Sequence, residues 1–169
     1  EILTHSGSQS QSDWIFLGTG LWLSGNCDNA VDAWRRGCTT KYADAAGGVE
    51  APLALLYASV KLARQDLNNE SMSALRSCCT SCKNWPGPIA MFVAGLLGEQ
   101  GLLSAISTNP VLRQKQMCQA HFYVGVMHLW NGRLSQYYKA MDEARSQGAV
   151  CRCKQELYLA EAEAATRAG

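Results

Sequence analysis

"WIFLGTGLWLSGNCDNAVDAWRRG", residues 14–37, decides the fold once it is laid against "HFYVGVMHLWNGRLSQYYKAMDEA", residues 121–144. Trp14, Leu17, Gly18, Leu21, Gly25, Ala30, Trp34 and Gly37 fall at the same spacings as His121, Val124, Gly125, His128, Gly132, Tyr137, Met141 and Ala144. Such self-similarity marks a repeated unit that cannot bury its apolar surface alone and must stack on neighbours. Small residues at Gly18 and Gly125 let two helices approach closely, while the large ones fill the gaps between hairpins. Gly25 and Gly132 supply the turn, where a positive φ costs glycine little.

Breakers divide the rest of the chain into paired helical segments. The pattern predicts helices over 12–23 and 27–38, with Ser12 or Asp13 as the first cap and 24–26 as the turn. Pro52 opens a segment over 52–67 with good helix formers and no internal breaker, Asn68–Asn69 make the next turn, and 70–82 completes the pair. NWPGP at 84–88 is the strongest breaker, followed by a short pair over 88–97 and 100–107. A longer pair spans 112–130 and 134–146, and 150–167 is a lone final helix. No run alternates with a period of two, so the expected fold class is all-α. Residues 1–11, small and polar, read as a flexible arm, and residues 12–169 as one helical-repeat domain.

The residues quoted at the outset resemble the tetratricopeptide repeat, whose unit reads W-x2-L-G-x2-Y, then A, F and A. Trp14, Leu17, Gly18, Gly25, Ala30 and Trp34 match that pattern well, with Leu21 in the Tyr position and Gly37 in that of the last Ala. Gly125, Gly132 and Ala144 match in the later stretch, which departs at His121, Tyr137 and Met141. The two middle pairs fit only as helix pairs. The resemblance implies an α-α superhelix of about four hairpins closed by a C-terminal capping helix. In that family the first helix of each hairpin lines a concave groove, which here places Ile15, Thr19, Trp22 and Leu23, with Phe122, Val126, Leu129 and Trp130, on the binding face. Family members that hold a partner's terminal carboxylate use Lys and Asn there, and neither is found at these positions. An apolar groove is normally covered. Two occupants fit it: a partner helix or peptide anchored on Trp22, Phe122 and Trp130, or the chain's own final helix or N-terminal arm.

Composition narrows the function classes. The chain has 169 residues and a formal net charge of +1, with 15 basic residues dispersed, so no basic stripe nominates a nucleic-acid partner. The longest strongly apolar run, Ile89–Leu97, is far short of the ~20 residues needed to cross a bilayer as a helix, and the expectation is a soluble chain without a transmembrane segment. It begins at Glu1, which is compatible with processing at the N-terminus, and no compartment is assigned.

The residues with chemical potential have structural explanations. His121 and His128 occupy aromatic core slots, and two helical turns, ~10.5 Å, separate them too far to bind one metal directly. Eight cysteines do not fix the redox compartment. Cys79-x-x-Cys82 has spacing suited to zinc, a redox pair or a disulfide, and Cys151 and Cys153 could supply two further ligands, although CxC is a less standard knuckle. Asp142–Glu143 and Glu161/Glu163 read as exposed helix acids. There is no G-x-S-x-G, P-loop, H-E-x-x-H or G-x-G-x-x-G. No cofactor and no enzymatic activity are expected. The leading expectation is a protein–protein interaction or assembly scaffold, as a subunit of a larger complex. A cysteine-rich structural zinc or disulfide protein, or an accessory domain of a longer enzyme, are the alternatives.

Overall fold

A computed structural model describes residues 10–40, 48–78, 84–148 and 155–168. These residues form nine helices and no strand, as the absence of period-two alternation implies. The helices are α1 (Gln11–Leu23), α2 (Cys27–Thr39), α3 (Glu50–Lys61), α4 (Gln65–Cys78), α5 (Gly87–Val93), α6 (Glu99–Ser104), α7 (Pro110–Trp130), α8 (Leu134–Gly148) and α9 (Gln155–Ala168).

The chain enters α1 earlier than the pattern predicts. Ser10 is the cap: its hydroxyl accepts the Asp13 N–H while the Asp13 carboxylate accepts the Ser10 N–H, a reciprocal capping box. Gln11, assigned to the arm, is buried, and its Nε2 donates to the Gly37 and Gly48 carbonyls at 3.2 and 3.3 Å. It thereby ties α1 to the end of α2 and the approach to α3. The remainder of the arm, residues 1–9, lies outside the described residues.

A larger correction concerns the second hairpin. Its turn falls at 62–64 rather than at Asn68–Asn69, both of which lie inside α4. The geometry matches the glycine turns of the hairpins on either side. Gly25 (φ 83), Ala63 (φ 52) and Gly132 (φ 70) each follow the last turn of a helix, and their N–H groups reach back to Trp22, Val60 and Leu129. The next N–H in each case, from Asn26, Arg64 or Arg133, closes a longer bond of 2.9 Å to Leu21, Ser59 or His128. This is a Schellman-type ending, which usually selects glycine. Ala63 carries it without the residue that announces it, so the turn is silent in the sequence.

Three hairpins, α1·α2, α3·α4 and α7·α8, are tightly paired, while α5 and α6 make a shorter unit packed on α7. The first helices of the long hairpins meet in order, α1 on α3 and α3 on α7; α9 then touches α7 and returns to α1. Four helices therefore close a ring with α2, α4 and α8 outside it. A column of aromatic contacts runs inward from Trp34 on α2 to Trp22 (5.6 Å), Tyr57 (5.2 Å), Phe122 (5.3 Å) and Tyr123 (5.1 Å). Tilted and edge-on ring pairs at these separations are the favoured arrangements.

Small residues permit that closeness where the spacing argument required them. A methyl group on Gly18 would run into the Trp34 indole, whose Nε1 donates to the Ile15 carbonyl at 3.2 Å. Leu17, taken as a core-defining position, is instead 47% exposed. Among the described residues, nothing covers the side of α1 on which Leu17 lies.

Candidate functional site

The eight residues assigned to the concave face separate into two sets. Ile15, Thr19, Phe122 and Val126 are buried in the ring, Trp22 and Leu129 are half-buried, and only Leu23 and Trp130 are exposed. Ile15, Phe122 and Val126 belong to the common core, in which Phe122 packs on Tyr57 of α3. α9 packs on both α1 and α7, the two helices that carry these residues.

Polar chemistry fixes α9 there. The Tyr57 hydroxyl donates to Glu163 Oε1 at 2.7 Å, and Lys61 Nζ donates to Glu163 Oε2 at 2.7 Å. The Glu163 side chain is only 8% exposed, against the expectation of a solvated acid. The Tyr137 hydroxyl lies near the same carboxylate without a well-formed hydrogen bond. Burial, reinforced by Glu163, pushes the Tyr57 and Tyr137 phenols well above their ordinary range, so both remain neutral donors. At the other end of α9, Gln119 Nε2 donates to the buried Glu156 carboxylate at 3.1 Å and Gln119 Oε1 accepts the Trp85 indole N–H at 2.8 Å. A buried carboxylate survives only with such partners. These groups hold helices together.

An accessible site lies outside the ring, where the third helical unit is short. α5 has 7 residues against 14 in α4, so it covers only part of the space between α4 and the end of α7. A cleft of about 450 Å³ remains. Its apolar walls are Leu56, Met72, Val93, Met127 and Trp130, and its polar groups are Asn68, Asn69, Ser73 and Arg76, all from α4. Trp130 is 43% exposed, and it also borders a second cleft of about 320 Å³ with Val60, Ala63, Gln65 and Leu129. Of the eight groove residues read from the sequence, Leu129 and Trp130 belong to this accessible region. The sequence pattern does not single out Asn68, Met72 and Arg76, because a turn expected at Asn68–Asn69 hides the first part of α4; Met127, on α7, falls at no groove position of the repeat.

The histidines line a different cleft of about 360 Å³ with Glu99, Glu143, Lys139 and Gln136. Both are half-buried rather than fully in the core. Burial holds both imidazoles below their ordinary value, with Glu143 and Glu99 partly opposing this at His121 and Arg133 adding to it at His128. Among the described residues, no group of three or more His, Cys, Asp or Glu side chains is placed to hold a metal ion. Cys79, Cys82, Cys151 and Cys153 lie outside the described residues. No described helix is long and apolar enough to cross a membrane.

No family model matches the sequence, and neither a curated protein nor a solved structure matches it.

Proposed function

We propose that this chain is a non-enzymatic interaction subunit, a tetratricopeptide-like superhelix of about four hairpins that holds a segment of a partner protein and helps assemble a larger complex. The recurring turn at Gly25, Ala63 and Gly132 and the spacing shared by 14–37 and 121–144 support the repeat assignment. The binding face in this reading is the outer cleft, since Ile15, Thr19, Phe122 and Val126 are buried. One observation carries it: Trp130 stands 43% exposed between two clefts, beside the adaptable side chains of Met72 and Met127. Partly exposed aromatic residues flanked by methionine are suited to anchoring a partner's apolar side chain.

Site-specific photo-cross-linking tests the assignment. Benzoylphenylalanine is placed at position 130 and, as a control, at the exposed position 161 on α9. The expected result in the native host is a small set of protein adducts from position 130 that is absent from position 161. Identical adducts from both positions, or none from position 130, would remove the reading.

A further inference from the structure

The cleft beside Trp130 contains one charged group, Arg76, and that guanidinium makes no ion pair with a described residue. The two acids of α4 nearest the cleft in sequence are engaged elsewhere: Asp66 with Arg64 at 2.6 Å and Glu70 with Arg35 at 3.0 Å. Asn68, Asn69 and Ser73, the other polar groups of the lining, are neutral. Asn68 supplies a second polar group on the same wall. It is 8% exposed and lines the cleft, yet its side-chain amide makes no hydrogen bond to a described residue. An amide that opens to a cleft is hydrated there, and an incoming polar group can take the place of that water. An asparagine side chain carries one donor group and one acceptor, the complement of a peptide unit.

Shape separates an extended occupant from a compact one. The two clefts share Trp130 and lie along the same helix, with Gln65 bordering one and Arg76 the other. That stretch of α4 is ~16 Å long at 1.5 Å per residue, the length of about five residues of extended chain. A single exposed cation is too little for a nucleic-acid backbone, whose binding depends on many phosphate contacts. An isolated arginine is well suited to one carboxylate, which its planar fork can bind in bidentate fashion.

We infer that this cleft binds an extended, acidic peptide segment, with a large apolar side chain against Trp130 and a carboxylate side chain against Arg76, the backbone between them paired with Asn68. The inference rests on the proposed role as an interaction subunit and specifies its partner's chemistry. Met72 and Met127 make the apolar subsite tolerant of different side chains, so the charge and its distance from the apolar residue set the preference.

The test is selection of a random heptapeptide phage library on the full chain, with counter-selection on the Trp130→Ala chain. The expected peptides carry a large apolar residue with Asp or Glu three to five positions away. A synthetic copy of the leading peptide is then titrated by fluorescence polarisation. Arg76→Glu is expected to weaken it at least tenfold, and changing the peptide's acid to lysine is expected to restore most of that loss on the Arg76→Glu chain. Arg76 is exposed, so this variant keeps the fold, as circular dichroism will verify. Acidic residues at library frequency, or a charge exchange that restores nothing, overturns the inference while peptides that still depend on Trp130 leave the interaction subunit standing. A library that yields no Trp130-dependent peptide, together with no cross-link from position 130, overturns both.

Discussion

Tyr57 on α3 and Glu163 on α9 are 106 positions apart in the chain and share a hydrogen bond of 2.7 Å inside the ring. Lys61 completes the arrangement from one turn further along α3. Removing the carboxylate leaves the buried Tyr57 hydroxyl without its acceptor, while the partly exposed Lys61 ammonium can turn to water, and a stranded buried group costs more than the bond itself contributed. Glu163→Ala is expected to lower the unfolding free energy by about 2–3 kcal/mol, and Glu163→Gln, which keeps an acceptor for Tyr57, by about 1–2 kcal/mol. Urea unfolding of both variants measures this; equal losses, or a loss near zero for the alanine, would place the stabilisation of α9 in apolar contacts instead.

Gly18 and Gly125 hold equivalent places in the two similar stretches, but their neighbours differ in stiffness. A methyl group at 18 meets the rigid Trp34 ring, whereas at 125 it meets the end of Met141 at 2.6 Å and Ala140 at 3.2 Å. The methionine can rotate away and the indole, held to the Ile15 carbonyl, cannot. Gly18→Ala should therefore cost about 1–3 kcal/mol, and Gly125→Ala clearly less. Thermal melts of the pair decide it, and the reverse order would contradict the packing described.

Ala63 is the one residue among the three equivalent turn positions that bears a side chain at positive φ. Exchanging it for glycine removes a steric cost of about 1–2 kcal/mol and adds some unfolded-state entropy, so a net gain of about 0.5–1 kcal/mol is expected. Gly25→Ala and Gly132→Ala should lose a similar amount, since a methyl group there meets nothing within 4 Å and only the backbone conformation is penalised. Chemical denaturation of all three variants is the check, with opposite signs as the diagnostic outcome.

His121 and His128 are expected to make stability sensitive to mild acid. Burial lowers both folded-state values below the ordinary 6.5, so the unfolded chain binds more protons once the pH falls under that value. Stability is complete above it and is lost as the pH falls through the folded values. The urea midpoint is expected to decline between about pH 6.5 and pH 5, before carboxylates titrate, and to decline less in His121→Gln. A flat midpoint across that window would mean the imidazoles are hydrated in the folded protein.

The helical class, the short third unit and the hairpins at 14–37 and 121–144 were legible because their signals are local: glycine at a turn, proline at a helix start, apolar residues at helical spacing. The turn at Ala63 was not, since its conformation is imposed by the packing of α3 and α4 on residues that also suit a continuous helix. That shift moved Asn68 from a supposed loop into a buried place on α4 and concealed the outer cleft. Glu163 was invisible for a related reason. An alanine- and glutamate-rich helix has the same composition whether it is solvated or enclosed.

Local sequence thus determined which segments coil into helices and which of their faces are apolar. Whether those faces formed an open groove was decided in the tertiary structure, where α9 contacts both α1 and α7 and brings Glu163 to Tyr57 and Lys61. No window of the sequence contains that contact, because it depends on the summed geometry of every hairpin between the two ends of the ring. Tertiary packing likewise put Ile15 and Phe122 in the core and left Trp130 at the surface.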